Sequence, residues 1–287
     1  MRKLPGELLV ILAAILWGTT GTAQALAPSG ADPRSVGAIR LAIGGLALLI
    51  ITATRGVKFR EIKWPLLPTL IAGISMAAYN LFFFEGVAKA GVAVGTIVTI
   101  GSSPILAGLL GWLFRKEQPG NRWYLATILA IIGGILLILP GETINVDALG
   151  IILALLSGLC YAIFSVSSKG ILENTPPDAA MAIVFSLGAV FLSPILFSTE
   201  IAWLSQTSGW ISALFLGLIA TALAYILFAR GLVSVPVAKA VTLTLAEPLT
   251  AGLLGIFLLG EVITPKSALG IFALAVGLIL VSTDKSN

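Results

Sequence analysis

The chain has no histidine and a single cysteine, Cys160. It therefore lacks the commonest metal ligand and the usual proton relay near neutral pH, and it cannot form an intrachain disulfide. It also lacks the Gly-x-x-x-x-Gly-Lys-[Ser/Thr] motif that binds ATP in P-loop proteins. Neither a metal cluster nor a nucleophile–base pair can be assembled from these residues. We expect no cofactor, no metal site and no enzymatic activity.

Charged residues are scarce as well. They make up 10% of the 287 residues, and the mean hydropathy is +1.07, whereas soluble chains carry about 25% charged residues. Apolar residues are spread along the whole chain, which leaves no room for a soluble domain. The composition predicts an integral membrane protein surrounded by lipid. The net charge of +4 does not indicate a nucleic-acid partner, because the basic residues fall in short loops.

Ten apolar segments have the length of about 20 residues that a bilayer-spanning helix needs. The first resembles a signal peptide, but its apolar run is longer than the usual stretch of about 7–15 residues, so we keep it as a helix. The expected helices cover residues 7–27, 35–54, 64–85, 92–114, 121–140, 148–169, 179–198, 209–229, 237–259 and 265–283.

Two segments repeat each other about half a chain apart. Residues 104–117 and residues 248–261 share an initial proline, an internal Ala-Gly-Leu-Leu-Gly run and a final glutamate, at an offset of 144 residues. Such self-similarity indicates an internal duplication. Because each half contains an odd number of helices, the second half must enter the membrane from the opposite face. We predict an all-α membrane protein of two inverted five-helix repeats, residues 1–142 and 146–287.

Basic residues are distributed unequally between the two sides of this bundle. If the N-terminus lies inside, the outer loops contain only Arg34, Lys89 and Lys266. The inner side then contains twelve: Arg2, Lys3, Arg55, Lys58, Arg60, Lys63, Arg115, Lys116, Arg122, Lys169, Arg230 and Lys285. The positive-inside rule predicts that both termini are cytoplasmic. We expect a monomer in a bacterial inner membrane.

Each copy of the repeated segment begins with a proline in the middle of a predicted helix, Pro104 in the fourth and Pro248 in the ninth. A proline inside a helix cannot donate a hydrogen bond to the carbonyl four residues earlier, which would free the carbonyls of Ile100 and Thr244. Paired interruptions at equivalent positions indicate the central site of a transporter. We therefore interpret both prolines as helix breaks that allow gating.

Glu247 precedes the second proline and lies about ten residues, or ~15 Å, from the inner end of its helix. A carboxylate at this depth is costly and usually faces the bundle interior. It could hold a substrate ammonium group, carry a proton or accept hydrogen bonds that brace the broken helix. Arg40 and Lys239 are expected to extend towards the headgroups. Arg40 could instead meet Glu247 if the second and ninth helices touch.

Aromatic and small polar residues occur at the level of the two prolines. Any one of them could serve simple packing, but together they favour a partly apolar cavity with a few polar groups. The predicted substrate-binding residues are Trp17, Thr20, Tyr79, Asn80, Ser103, Tyr161, Tyr225, Thr244 and Glu247.

The ten helices, the doubled proline-to-glutamate segment and the Glu-Pro pair in the ninth helix resemble the EamA-type branch of the drug/metabolite transporter superfamily. Within that branch the sequence most resembles the YddG-type exporters of aromatic and other neutral amino acids. The resemblance implies a central cavity bounded by helices 1, 3, 4, 6, 8 and 9 that works by alternating access. Ser103 occupies the place of Glu247 in the first repeat, so the acid at the midplane is single.

Two kinds of substrate fit these residues. A neutral amino acid, aromatic or hydrophobic ones included, suits a cavity with one acid, hydroxyl groups and aromatic walls. A lipophilic cation also suits a buried glutamate surrounded by Trp and Tyr. The first hypothesis, an amino acid exporter, is the leading one, and multidrug efflux is the alternative.

Overall fold

The computed structural model describes residues 4–20, 23, 30–138, 147–259 and 262–284. Besides two short 3-10 turns at Phe59–Glu61 and Ala202–Ser205, ten helices occur within these residues. They are α1 (Gly6–Gly18), α2 (Pro33–Thr54), α3 (Leu66–Ala90), α4 (Val92–Arg115), α5 (Asn121–Ile138), α6 (Ala148–Leu172), α7 (Pro177–Ser198), α8 (Thr207–Leu232), α9 (Val237–Leu243 and Ala246–Leu259) and α10 (Pro265–Ser282).

The number of helices agrees with the ten that the sequence predicts. In the part of the chain described, α2 to α10 are each long and apolar enough to cross a membrane, and α1 is a shorter apolar helix. The predicted repeat boundary at residues 143–145 lies outside the described residues, as do Arg2, Lys3, Lys285 and Glu261. The exact bounds of the two repeats therefore stay a prediction.

The two halves of the bundle pack against each other with an internal symmetry. Helices five apart in chain order, such as α1 and α6, are equivalent in the two halves. The contact of α1 with α8 corresponds to the contact of α6 with α3. The contact of α4 with α6 corresponds to the contact of the second piece of α9 with α1. The contacts α2 with α7 and α5 with α10 join helices that are themselves equivalent. Each interface therefore recurs when the two halves are exchanged, as expected for inverted repeats.

The symmetry extends to individual side chains at the closest helix crossings. A Cβ atom placed on Gly217 would lie 2.6 Å from Cβ of Ile43. A Cβ atom placed on Gly73 would lie 2.8 Å from Cβ of Leu187. Gly73 and Leu187 are the residues 144 positions away from Gly217 and Ile43, so the second contact is the first with the two halves exchanged. Both positions need glycine because a larger residue would push two neighbouring helices apart.

The two prolines of the repeated segment act differently. Helix α9 is interrupted at residues 244–245, and Pro248 lies in the first turn of its second piece. Helix α4 continues from Val92 to Arg115 with Pro104 inside it, so the break predicted at Pro104 is wrong. The predicted free carbonyl of Thr244 is also wrong, because this oxygen accepts a hydrogen bond of 2.9 Å from the backbone N–H of Glu247.

Helix α8 contains a feature that the hydrophobic pattern does not predict. Its middle part, Phe215–Leu223, has the wider turns of a π-helix, between two α-helical parts. Such segments are rare and often lie at functional sites. This one ends immediately before the α-helical part that contains Tyr225.

One end of the bundle is closed by ion pairs between the two halves. It comprises Arg55, Arg115, Glu173, Asp178 and Arg230, and we call it the basic end. Asp178, at the first turn of α7, forms an ion pair with Arg55 of α2 and one of 2.9 Å with Arg230 of α8. Arg115 of α4 contacts Glu173 at 2.7 Å. The pairs Arg55–Asp178 and Arg115–Glu173 join the first half to the second, whereas Arg230–Asp178 lies within the second half.

The glutamate that ends the first repeated segment belongs to the same end. Glu117 lies just after α4, and its Oε2 accepts a hydrogen bond of 2.6 Å from the backbone N–H of Val237. Val237 is the first residue of α9, where backbone N–H groups have no partner within the helix and favour a negative charge. The repeated glutamate thus fixes the start of the broken helix in the other half.

Candidate functional site

Glu247 lies directly after the interruption of α9 and is partly buried. Pro248 cannot donate a hydrogen bond to the carbonyl of Thr244. The N–H of Glu247, three residues after Thr244, bonds to this carbonyl instead and makes a tighter turn. Among the described residues, no hydrogen bond or ion pair reaches the carboxylate of Glu247. The interpretation of Glu247 as a hydrogen-bonded brace therefore has no support, and its carboxylate is free to meet a ligand.

Four aromatic residues that the sequence singles out meet in one cluster. The ring of Trp17 lies 4.7 Å from that of Tyr225, and Tyr79 lies 5.5 Å from Tyr161, between ring centroids. Phe228 joins the two pairs, at 5.6 Å from Trp17 and 6.4 Å from Tyr161. These rings come from α1, α3, α6 and α8 and lie together in the bundle, while their role in substrate binding stays a prediction.

Three phenylalanines that the sequence analysis did not select complete this group. Phe164, Phe185 and Phe228 are fully buried, and Phe185 lies 4.3 Å from the ring of Tyr225. Phe228 could have been found, because it belongs to the Ala-Tyr-x-Leu-Phe sequence repeated in α3 and α8, but Phe164 and Phe185 have no such signal. Together the aromatic cluster consists of Trp17, Tyr79, Tyr161, Phe164, Phe185, Tyr225 and Phe228.

The aromatic cluster and Glu247 are neighbours. Glu247 lies close enough to Tyr79, Tyr161 and Tyr225 to interact with them electrostatically. Phe164 and Phe228 follow the tyrosines towards the basic end, since each lies three residues beyond a tyrosine on a helix that runs to that end. Glu247 and the three tyrosines therefore form an upper layer, and Phe164 and Phe228 form an apolar floor between this layer and the basic end.

Polar atoms around this layer include two that have no hydrogen-bond partner among the described residues. These are the buried indole Nε1 of Trp17 and Oγ1 of Thr20, whereas the hydroxyl of Tyr161 lies within reach of the Thr244 side chain. A buried donor without a partner costs about 1–3 kcal/mol. Two of the predicted site residues thus present unsatisfied groups that a polar ligand or water could satisfy.

Other predicted site residues use their side chains within the protein. The amide of Asn80 donates to the carbonyl of Met76 at 2.9 Å, and the hydroxyl of Thr244 donates to Val241 at 2.7 Å. Ser103 donates to the carbonyl of Thr99 at 2.7 Å, where α4 crosses α6. These bonds match the packing interpretation of such residues, and their role in substrate binding stays a prediction.

The two basic residues expected near the headgroups are both held inward. Lys239 is 7% exposed, and it donates at 2.9 Å to Glu7 and at 2.6 Å to the carbonyl of Asp284. The expectation that Lys239 extends to the lipid surface is therefore wrong. Arg40 has a buried Nε with no partner in the described part of the chain. It interacts electrostatically with Glu247, although the two do not form an ion pair within 4.0 Å.

Comparisons with known proteins agree with this architecture. A profile described as the EamA-like transporter family matches residues 4–139 and 148–283. The uncharacterized transporter YwfM of Bacillus subtilis (strain 168) is 45% identical over 277 residues, which cover 96% of this chain and 93% of YwfM. The threonine/homoserine exporter RhtA of Escherichia coli (strain K12) is 30% identical over 274 residues, which cover 94% of this chain and 88% of RhtA.

A solved crystal structure has the same fold. It superimposes with a TM-score of 0.83 and covers 97% of this chain and 96% of its own. The two sequences are 19% identical, so the likeness concerns the fold alone.

Proposed function

The chain belongs to the EamA-like transporter family and is a secondary transporter rather than an enzyme, and from this premise we propose that it exports neutral amino acids, aromatic and hydrophobic ones included. The transport would proceed by alternating access of the layer around Glu247 to the two sides of the membrane. The basic end would face the cytoplasm of a bacterial inner membrane, with both termini on that side.

The observation that carries the proposal is the carboxylate of Glu247, which no ion pair or hydrogen bond from the described residues reaches and which lies beside the aromatic cluster. A carboxylate without a partner in the bundle interior is costly, and the ammonium group of an amino acid would neutralise it. Trp17 Nε1, which makes no hydrogen bond to a described residue, and the Tyr161 hydroxyl could bind the substrate's polar groups, and the rings would contact its side chain. The relative RhtA, whose name describes export of threonine and homoserine, and the resemblance to YddG-type exporters support the same substrate class.

The test is counterflow of radiolabelled amino acids in proteoliposomes that contain the purified protein. Threonine, homoserine, leucine and phenylalanine are compared, with and without a pH gradient. We expect uptake of at least one neutral amino acid that unlabelled amino acids compete away. Absence of flux for the whole panel would overturn the proposal.

A second arm separates this function from multidrug efflux. Tetraphenylphosphonium and a quaternary ammonium dye are added as competitors and as labelled substrates. Strong inhibition by these cations, together with their own flux and no flux of amino acids, would favour the alternative substrate class.

A further inference from the structure

We propose that Arg40 is a second substrate ligand, which binds the carboxylate of the amino acid while Glu247 binds its ammonium group. This inference rests on the proposed function, because it names the chemical group of that substrate which the site recognises. No sequence motif assigns Arg40 such a role.

Arg40 lies on the face of α2 that points into the bundle. One turn before Arg40, a Cβ atom on Gly37 would clash with the ring of Phe84 of α3. One turn after it, a Cβ atom on Gly44 would lie 2.8 Å from Cβ of Thr221 of α8. Residues three and four apart share a face of a helix. Arg40 therefore lies on the face that contacts α3 and α8, the helices that supply Tyr79 and Tyr225.

The guanidinium of Arg40 has polar neighbours but no ion pair with a described residue. The side chain is partly buried, and its Nε is buried and makes no hydrogen bond to the residues described. Arg40 interacts electrostatically with Tyr79, Tyr225 and Glu247. A buried charge is normally paired, because leaving it alone costs several kcal/mol. Within the described part of the chain, Arg40 is therefore a partly buried cation that lacks an anion within hydrogen-bonding distance.

The separation of Arg40 from Glu247 has a structural cause. Helix α2 packs on α7 and α8, and in the described residues it shares no extensive interface with either piece of α9. Arg40 lies seven residues, or ~10 Å, from the start of α2, and Glu247 lies ten residues, or ~15 Å, from the start of α9 at the basic end. In a core of about 30 Å, the two charges are thus at neighbouring depths, on helices that share no extensive interface in the described residues.

This arrangement matches the two charges of an α-amino acid. A guanidinium binds a carboxylate through two parallel hydrogen bonds, and an ammonium group complements the carboxylate of Glu247. The two groups would fix the backbone of the substrate and leave its side chain to the aromatic cluster. A lipophilic cation would gain from Glu247 but would be repelled by Arg40, which sets the two substrate classes apart.

The experiment measures binding of three compounds with the same ring to the purified full-length protein in detergent. These are phenylalanine, phenylalanine amide, which lacks the carboxylate, and 3-phenylpropionate, which lacks the ammonium group. Threonine and its amide form a second pair. In the wild type we expect the amide to bind on the order of 10- to 100-fold more weakly than the acid, as for a lost hydrogen bond to a charged group.

Variants assign this discrimination to a residue. In Arg40→Gln the amino acid and its amide should bind within about threefold of each other, while Glu247→Gln should retain the preference for the carboxylate. Arg40→Lys should restore part of the preference. The control is Arg34→Gln on the same helix, because Arg34 is exposed and paired with Glu85 at 3.2 Å, and it should behave as the wild type.

The outcomes separate this inference from the proposed function. If the wild type binds no amino acid, the proposed function fails, and the role of Arg40 fails with it. If the wild type binds amino acids but also binds their amides equally well, only the role of Arg40 is overturned, whether or not the variants fold. Retained discrimination in Arg40→Gln would overturn it as well.

Discussion

At the scale of single residues, the carboxylate of Glu247 is the group whose removal should affect transport most directly. Glu247→Gln keeps the size and the backbone of the interruption but removes the charge. Because the charge-assisted bond to the substrate ammonium group is lost, we expect transport to fall by about tenfold or more. Glutamine cannot titrate, so any pH dependence of the wild type between about pH 5 and 8 should flatten. Counterflow in proteoliposomes measures both effects.

The matched control is Glu61→Gln, which removes an exposed carboxylate paired with Lys58 and should leave transport unchanged. Kinetics of Glu247→Gln that equal the wild type at each pH would remove Glu247 from the mechanism.

Two adjacent glycines of α5 test how closely the repeats approach. A Cβ atom on Gly133 would lie 2.5 Å from the backbone N of Leu274 and 2.7 Å from the carbonyl of Gly270, whereas one on Gly134 meets nothing within 4 Å. Backbone atoms cannot move aside as a flexible side chain can, so Gly133→Ala should destabilise the protein by about 1–3 kcal/mol. Gly134→Ala should be neutral or stabilise it by up to about 1 kcal/mol through helix propensity. Thermal unfolding in detergent compares the two variants, and equal midpoints would contradict this account.

The sequence predicted the depth of the aromatic residues but not the role of the polar ones. Depth along a helix follows from residue number, which is why Trp17, Tyr79, Tyr161 and Tyr225 were expected at one level of the bundle. Whether a hydroxyl or amide faces a ligand or bonds to its own helix depends on the rotamer and the neighbouring helix. Asn80 and Ser103 bond to backbone carbonyls, and nothing in their spacing distinguishes them from Thr20, whose hydroxyl makes no hydrogen bond to a described residue.

At the scale of elements, the two prolines of the repeat should have unequal effects. Pro248→Ala restores an N–H that can bond to the carbonyl of Thr244, which favours a continuous α9. We expect a change of at least severalfold in transport rate, because the position of Glu247 depends on this interruption. Pro104→Ala should keep a rate close to the wild type, because α4 is already continuous.

The paired variants are compared by counterflow at matched amounts of reconstituted protein. Equal rates in Pro248→Ala and the wild type would show that the interruption does not matter for transport. A stronger effect of Pro104→Ala than of Pro248→Ala would mean that transport depends on Pro104 rather than on Pro248.

The duplicated proline indicated the right region but not which of the two helices would be interrupted. A proline removes one hydrogen bond, and the surrounding packing decides whether the helix tolerates the loss. The first piece of α9 is fully buried, and Thr242 within it bonds to Trp123 at 2.9 Å and to Thr127 at 3.1 Å. These contacts with α5 hold that piece independently of the second. The π-helical part of α8 has no comparable signal, since Phe215–Leu223 contains neither a proline nor a charged residue.

At the scale of the whole molecule, contacts between the repeats define the conformation. At the basic end, Asp178 bridges Arg55 and Arg230, and the buried floor of Phe164 and Phe228 lies between that end and Glu247. The ion pair of Arg34 with Glu85 at the opposite end stays within the first half. The structure is thus closed at the basic end, and an alternating-access cycle requires that these pairs separate.

Asp178 is the member of this network whose loss should have the largest effect, because it is buried and serves two arginines from different halves. Asp178→Asn keeps the shape but leaves both cations without a carboxylate, so the closed form should lose stability relative to the form open at the basic end. Ser168→Cys in a Cys160→Ser background reports the change, because Ser168 is fully buried one turn from the basic end of α6. Labelling by a membrane-impermeant maleimide applied to the basic side should rise severalfold with Asp178→Asn. Glu61→Gln, which disrupts only an exposed pair, should leave labelling unchanged, and equal labelling in all three backgrounds would show that Asp178 does not hold this end closed.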